Sequence, residues 1–202
     1  LSIGAYNNIS TEVITTVFMF LFGVNFNMYY YMLNKQFGLV KENGELRLYT
    51  GIVLVSMVLI AFNIMPMYGN SFLAALRHSS FQVSTIITTT GYATADFNLW
   101  PMFSKSILFC LMITGACAGS TGGGVKISRI LILCKAAKIE LGKIIHPRRV
   151  QTVKFEGSTL DDKILVNVLV FIALYFLIGF ISFVIVSLDG YDFETTATAV
   201  IT

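Results

Sequence analysis

The chain has 202 residues, of which 55% are hydrophobic and only 12% charged, and its formal net charge is +3. Soluble globular domains usually contain about a quarter charged residues, so this composition argues against an ordinary soluble domain and indicates a membrane protein. The small positive charge is weak evidence for nucleic-acid binding, and no nucleic acid is expected as a partner. The three cysteines (Cys110, Cys117, Cys134) match no metal-binding or redox spacing and are interpreted as packing residues.

Three apolar segments, residues 13–33, 48–69 and 164–188, contain no internal Lys, Arg, Asp or Glu. Each is long enough to cross a bilayer core as a helix, which takes roughly 20 residues. The sequence therefore predicts an all-α, multi-pass membrane protein in contact with lipid. Because the chain begins at Leu1 without a basic leader and cleavage site, the first segment is expected to be a mature span and the chain an internal fragment.

The basic residues predict an orientation in the membrane. Lys35, Lys41 and Arg47 follow the first span, and nine of the 14 Lys and Arg residues lie within 126–163. By the positive-inside rule both segments are expected in the cytoplasm, so the chain must also cross inward once between residues 70 and 125. Five carboxylates fall on the opposite side, where they are either solvated loop residues or raise the cation concentration at an outer mouth: Glu12, Asp96, Asp189, Asp192 and Glu194.

Residues 70–101 are not typical of a simple crossing. A helix over 72–87, capped by Asn70 or Ser71, is too polar to face lipid because of the side chains that it carries: Arg77, His78, Ser79, Ser80 and Gln82. It ends in the sequence TTTGY (88–92). We interpret the segment as a re-entrant loop, in which a half-helix enters from the outer side, extended backbone follows, and the chain returns. Irregular backbone is tolerated at membrane depth only where it is buried in protein or lines a water-filled cavity.

The chemistry of residues 88–92 fits a cation site. A helix directs the negative end of its dipole beyond its C-terminus, and carbonyls of an extended segment can replace the hydration shell of an ion. Gly91 permits backbone angles that are closed to other residues, and the threonine hydroxyls can add an oxygen. An ordinary Thr/Gly turn between two helices is the alternative.

A glycine-rich stretch interrupts the next helix. The apolar run 102–114 is too short to cross the bilayer and stops at the sequence GACAGSTGGG (115–124). Its five glycines would each cost roughly 1 kcal/mol inside a helix, so the helix is predicted to break within the membrane, below the candidate cation site. Because sequences break local rules most often at functional sites, we interpret the stretch as a gate: Ser120 and Thr121 supply polar contacts in the closed position, and Lys126 opposes a crossing cation. A glycine-lined packing contact between helices is the alternative.

The end of the chain is similar to the re-entrant segment. Residues 197–202 align with residues 83–88 at an offset of 114 positions, and in both copies an apolar span precedes a short helix that ends in threonine. Asp189 and Asp192 are suitable helix caps for the second copy. Internal repeats are common in transport proteins, so the chain is expected to stop just before a second filter strand.

Four motifs that together span most of the chain carry a resemblance to a known family: VFMFLFGVNFNMYY (17–30), ITTTGYATADFNLWP (87–101), GACAGSTGGGVKI (115–127) and HPRRV (146–150). The chain resembles the Trk/Ktr/HKT superfamily of potassium uptake proteins, most closely the bacterial TrkH/TrkG type. Members contain four membrane helix–re-entrant pore loop–membrane helix repeats around a central pore. The resemblance implies that residues 1–34 end the second repeat, 46–145 form the third, 146–163 are a cytoplasmic basic linker and 164–202 begin the fourth.

The resemblance also implies a function and its residues. The chain would be part of a potassium uptake protein of the cell inner membrane, with K⁺ as the transported substrate and no organic cofactor in this chain. The selectivity filter would bind K⁺ through the carbonyls of Thr89, Thr90, Gly91 and Tyr92. The gate would comprise Gly115, Gly119, Ser120, Thr121, Gly122, Gly123, Gly124 and Lys126. Expected partners are the remaining repeats of the same parent chain, a second copy in a homodimer, and a cytoplasmic nucleotide-binding ring of TrkA type near residues 135–154.

Two enzyme hypotheses fail on residue spacing, and no enzyme is expected. Residues 119–126 resemble a nucleotide-binding P-loop, but Val125 separates the last glycine from Lys126, and Ile127 replaces the required Ser or Thr. A serine protease using Ser120 lacks the first glycine of its motif, and the expected topology separates Ser120 from both histidines. A secondary cation carrier with broken helices, acting as a Na⁺ or K⁺ symporter, is the strongest alternative. The choice between K⁺ and Na⁺ also stays open.

Overall fold

The computed structural model describes residues 2–6, 8–145, 154–155 and 158–201, and most of this part of the chain is helical. Its α-helices are α1 (Ile9–Phe22), α2 (Phe26–Leu33), α3 (Phe37–Glu42), α4 (Gly44–Ile64), α5 (Phe72–Ile87), α6 (Met102–Thr114), α7 (Ile127–Ile145), α8 (Asp162–Val186) and α9 (Phe193–Ile201). Short 3₁₀ turns lie at Gly4–Tyr6, Met65–Tyr68, Phe97–Leu99 and Ser187–Asp189. One antiparallel hairpin pairs β1 (Lys154–Phe155) with β2 (Ser158–Thr159). The prediction of an all-α fold is confirmed.

Within the described residues, two helical stretches are long and apolar enough to cross a membrane: Gly44–Tyr68, which is α4 with its 3₁₀ turn, and Asp162–Asp189, which is α8 with its turn. They match the predicted spans 48–69 and 164–188, so the chain is an all-α membrane protein. The orientation of these spans stays a prediction. Of the basic linker expected at 146–163, residues 146–153 and 156–157 lie outside the described residues.

The predicted span over 13–33 is not one straight helix. Helices α1 and α2 are together long and apolar enough for a span, but they are bent by 91° at residues 23–25, which we call the first break. At this break a Cβ on Gly23 would clash with the Tyr49 hydroxyl oxygen, so the backbone lies directly against that side chain and a larger residue would require the ring to shift. Asn25 then starts α2 anew, because its side chain accepts a hydrogen bond from the Asn27 N–H at 2.9 Å.

The core lies where α4 packs against α5, which also contacts α1 and α6. Tyr49, Val53 and Ile60 of α4 are fully buried with Phe81 and Ile87 of α5. The second half of α5 is therefore enclosed by protein rather than by lipid, which explains how a membrane chain accommodates so polar a helix. In contrast, α8 leaves most of its apolar side chains exposed, and these are available to lipid or to other membrane helices.

Candidate functional site

Helix α5 has the predicted boundaries and ends at the predicted cation site. Ser71 caps its start by accepting a hydrogen bond from the Ala74 N–H at 3.4 Å. At its end, the N–H of Thr89 donates to Ile86 O at 3.0 Å and the N–H of Thr90 to Thr85 O at 2.9 Å. These two bonds form a Schellman motif, the common helix ending in which the residue after the C-cap, here Thr89, is left-handed. The chain then leaves the helix axis and runs on without regular structure to residue 96.

The backbone of residues 89–92, the candidate filter, is not uniformly extended as the sequence predicted. Thr89 has a φ of 53° and Gly91 a φ of 80°, both in the left-handed region. Glycine adopts this conformation at little cost, whereas threonine is strained in it. The irregular conformation is held locally, since the hydroxyl oxygens of Thr88 and Thr90 lie 2.8 Å apart and the Thr88 hydroxyl donates to Ser84 O at 2.6 Å.

Exposure changes abruptly at the end of α5. Residues 81–88 are all buried, whereas the four residues of the candidate filter are exposed. Thr89, Gly91 and Tyr92 line a cavity of about 300 Å³ that α9 borders from the other side. Its polar lining includes Gln82, Thr85, Thr89, Thr195 and Thr198. A buried helix thus presents its C-terminus and an irregular, oxygen-rich segment to an open space.

The predicted break after α6 is present and lies against the candidate filter. Residues 115–124, the glycine-rich loop, contain no helix. The N–H of Gly123 donates to the Thr89 hydroxyl oxygen at 2.9 Å. A Cβ on Gly122 would lie 3.5 Å from the Thr88 backbone, so this part of the loop packs directly on the end of α5. The structure therefore brings the two predicted sites together.

The glycine-rich loop closes on itself at its base. The N–H groups of Val125 and Lys126 donate to the carbonyls of Ile113 and Thr114, at 3.1 and 3.0 Å. A Cβ on Gly115 would lie 2.2 Å from Gly123 O, and Gly115 has a φ of 67°. Only glycine permits this approach. The end of α6 and the start of α7 consequently stay close, although no helix connects them.

The loop also binds the first break, a contact that the sequence analysis missed. The N–H of Cys117 donates to Gly23 O at 3.1 Å, and the N–H of Phe26 donates to Gly119 O at 3.1 Å. Thr121 contacts Phe22 O through its N–H at 3.4 Å. The carbonyls of Phe22 and Gly23 and the N–H of Phe26 lie at the ends of α1 and α2, where backbone groups have no partner within the helix. The first break and the glycine-rich loop thus satisfy each other's backbone hydrogen-bonding groups.

The polar residues of the predicted gate make other contacts than expected. The Ser120 hydroxyl donates to Cys117 O at 2.6 Å, within the loop itself. The Thr121 hydroxyl oxygen lies 3.4 Å from Phe22 O. Lys126 is partly buried and has a φ of 77° at the end of the loop. The contact with the candidate filter comes from the Gly123 backbone instead.

Three of the five acidic residues expected at the outer face have structural partners. Glu12, for which a solvated loop position was one of two interpretations, lies in α1, is 4% exposed, and pairs with Arg77 of α5 at 2.8 Å. Glu194 pairs with Lys105 at 2.7 Å. Asp192 caps α9: its carboxylate accepts from the Thr195 hydroxyl at 2.6 Å and from the Thr195 N–H at 3.1 Å, and these hydrogen bonds lower its pKa. For these three residues the contacts favour structural roles over a diffuse electrostatic one.

Packing accounts for His78 and Cys117. His78 stacks on Tyr68 with ring centroids 4.5 Å apart, in the first half of α5, and Cys117 is buried. Cys110 and Cys134, also interpreted as packing residues, are exposed. Within the described residues, no group of three or more His, Cys, Asp or Glu side chains could hold a metal ion.

Comparison with known proteins agrees with this architecture. The family model of TrkH, described as "Cation transport protein", matches residues 1–200. The Trk system potassium uptake protein TrkH of Salmonella typhimurium is 31% identical, over 100% of this chain and 42% of its own length. The protein TrkG of Escherichia coli K12 is also 31% identical, over 98% of this chain and 41% of its own. This chain is also similar to the crystal structure of the potassium transporter TrkH from Vibrio parahaemolyticus, with a TM-score of 0.87 and 29% sequence identity. The similarity covers 99% of this chain and 44% of the Vibrio chain.

The fold and the site define an all-α integral membrane protein in which the glycine-rich loop between α6 and α7 packs against the end of the largely buried helix α5. The chain belongs to the TrkH family of cation transport proteins. The predicted resemblance is confirmed. The chain spans about two fifths of the length of the relatives it matches, and their names are those of transport proteins rather than enzymes.

Proposed function

We propose that this chain forms part of a potassium uptake pathway across the cell inner membrane, with residues 89–92 as its selectivity filter. The observation that carries the proposal is the end of α5, where residues 81–88 are buried, the next four are exposed, and three of these four (Thr89, Gly91 and Tyr92) line a cavity. The C-terminal end of α5 directs partial negative charge at that space. The carbonyls of Thr89, Thr90, Gly91 and Tyr92 can replace water around a dehydrated K⁺ ion.

The parent protein would build its pore from repeats, and the turns before α5 and α9 support this. After α4, the 3₁₀ turn Met65–Tyr68 ends at Gly69 with a φ of 64°; after α8, the turn Ser187–Asp189 ends at Gly190 with a φ of 77°. Each pore helix then begins three residues after that glycine. We assign 1–34 to the end of the second repeat, 46–145 to the third and 164–202 to the fourth.

The glycine-rich loop would act as the gate below the filter. It contacts Thr89 through a single neutral hydrogen bond, from Gly123, and it is not part of any helix. A segment held in this way can move aside without unfolding the helices on either side. A secondary carrier with broken helices remains the second candidate, because interrupted helices also bind ions in carriers. Single-channel currents would favour the pore, and saturable turnover without them would favour the carrier.

The partners follow from the same assignment. We propose that the missing repeats of the parent chain complete the filter, that the parent forms a homodimer in lipid, and that a cytoplasmic nucleotide-binding ring of TrkA type contacts the basic segment 135–154. K⁺ is the transported substrate. Cross-linking from Lys135 or Lys138, both in α7, to a co-expressed regulatory ring would support that last contact.

The filter assignment is tested by Gly91→Ser in the full-length parent protein. The added side chain meets no atom within 4 Å, so its effect comes from the backbone, whose φ of 80° disfavours a residue other than glycine. We expect the ratio of K⁺ to Na⁺ flux to fall several-fold while the protein still inserts. Gly69→Ser is the matched control, because Gly69 also has a positive φ and open space but lies in the turn before α5. A K⁺ to Na⁺ ratio that Gly91→Ser leaves unchanged would contradict the filter.

A further inference from the structure

A buried carboxylate, Glu45, contacts the glycine-rich loop from below. Glu45 lies in the first turn of α4 and is only 2% exposed. Its Oε1 atom accepts hydrogen bonds from the N–H of Ala118 at 2.6 Å and from the N–H of Ser128 at 3.0 Å. A carboxylate is rarely buried unless such partners compensate for its lost hydration. A buried carboxylate at this position therefore indicates a role beyond stabilising α4.

The two donors belong to different parts of the interrupted helix. Ala118 lies in the middle of the glycine-rich loop, whereas Ser128 is the second residue of α7. The N–H of Ser128 is one of the four that a helix start leaves without an internal partner, and negative charge is favourable there. One oxygen atom thus joins the middle of the glycine-rich loop to the start of α7.

The carboxylate itself is held in place. The side chain of Asn43 caps α4 by accepting from the Leu46 N–H at 2.7 Å, and α4 packs along α5 and α7. The position of Glu45 is therefore set by the core of the protein. A charge-assisted hydrogen bond is roughly twice as strong as a neutral one, so the bond to Ala118 outweighs the neutral bond between Gly123 and Thr89.

We propose that Glu45 is the positioning residue that holds the glycine-rich loop in its closed place beneath the filter. The inference rests on the proposed gate. When the loop moves aside, the Ala118 N–H leaves the carboxylate while the Ser128 N–H remains bound to it. Glu45 therefore keeps a partner in both states, and its charge is never left buried alone. The bond to Ala118 stabilises the closed state only.

The test compares three variants of the full-length parent protein in liposomes. Glu45→Ala removes the acceptor, and we expect the K⁺ flux per inserted protein to rise about tenfold, because a hydrogen bond to a charged group is worth at least that factor. Glu45→Gln keeps an oxygen of the same shape and should give a smaller, several-fold rise. Glu42→Ala is the matched control, since Glu42 is exposed and lies only three positions away. The K⁺ to Na⁺ ratio should stay unchanged in all three because the filter is not altered.

Deleting residues 118–122 separates failure of this inference from failure of the gate. If the deletion raises flux while both Glu45 variants match the parent, the gate stands and Glu45 does not position it. If a normally abundant deletion variant loses flux, the gate itself is wrong. A fall in abundance and flux together for Glu45→Gln would show a purely structural role and overturn the inference. If the proposal is right, Glu45→Ala adds little to the deletion, because the Ala118 contact is already gone.

Discussion

The two interrupted helices of this chain differ in how their broken ends are satisfied. The first break spans residues 23–25 and packs on Tyr49, whose hydroxyl donates to Phe20 O in the last turn of α1 at 2.9 Å; its carbonyl at Gly23 is bound by the glycine-rich loop. The second break is that long loop, which closes on itself at its base and contacts the candidate filter through the Gly123 N–H. In the proposed gate, the short break is the fixed support and the long loop is the part that moves.

This difference shows that an interruption in a membrane helix is not by itself evidence for a gate. Backbone groups released at membrane depth must find partners inside the protein. The first break is short and lies against a fully buried tyrosine, Tyr49. The second break is closed at its base by its own backbone, but its middle donates to the first break, Glu45 and Thr89. Displacing the loop therefore breaks these contacts and leaves the base intact.

The largest expected effect is that of Gly23→Ala at the first break. The new Cβ would lie 2.2 Å from the Tyr49 hydroxyl oxygen and 2.9 Å from a methyl group of Thr88. Overpacking of this kind typically costs 1–3 kcal/mol or more, so we expect a large loss of folded, membrane-inserted protein. Thermal stability in detergent and the amount of inserted protein measure this.

Two further variants make the Gly23 test specific. Tyr49→Phe combined with Gly23→Ala removes the atom in closest conflict and should restore part of the folded protein. Gly51→Ala is the control, since Gly51 lies inside α4 with nothing within 4 Å of an added Cβ; there alanine should be neutral or stabilise by up to about 1 kcal/mol. Normal stability of Gly23→Ala alone would mean that the first break is as adaptable as the second.

Deletion of residues 118–122 is expected to have the next largest effect, and with the opposite sign. It removes the contacts with both Glu45 and the first break, so K⁺ flux should rise by more than the roughly tenfold expected from Glu45→Ala. Liposome flux assays normalised to inserted protein measure this. Equal losses of abundance and flux would instead make the loop a packing element like the first break.

The sequence allowed the elements with strong local signals to be predicted closely. The boundaries of α5 followed from Ser71 and the threonine-rich end, and those of α6 from Pro101 and Gly115. Five glycines made the second break evident. The first break contains a single glycine, Gly23, in an apolar segment. Hydropathy depends on composition alone, so it could not predict the bend between α1 and α2.

Contacts between distant segments could not be predicted. Glu45 lies 73 positions before Ala118 in the chain, and nothing in its neighbours shows that its carboxylate faces a loop. Charge patterning assigned Glu12 only to the outer side of the membrane, whereas the start of α1 at Ile9 and the pairing with Arg77 bury its side chain. The roles of residues 89–92 and of the glycine-rich loop stay proposals that only flux measurements test.

The smallest expected effect comes from Thr89→Val, which removes the acceptor of the Gly123 N–H and keeps the shape of the side chain. The hydrogen bond is neutral and its net worth is about 1 kcal/mol, so the K⁺ flux through a gated pore should rise only about two- to fivefold. Thr89→Ser is the matched control, because it keeps the hydroxyl oxygen 2.9 Å from Gly123 N. Comparing the two variants in the same liposome assay isolates this one bond between filter and loop. If Thr89→Val and Thr89→Ser raise the flux equally, the backbone strain at Thr89 controls conduction rather than the bond to the loop. If neither variant raises the flux, the loop is held closed without help from the filter.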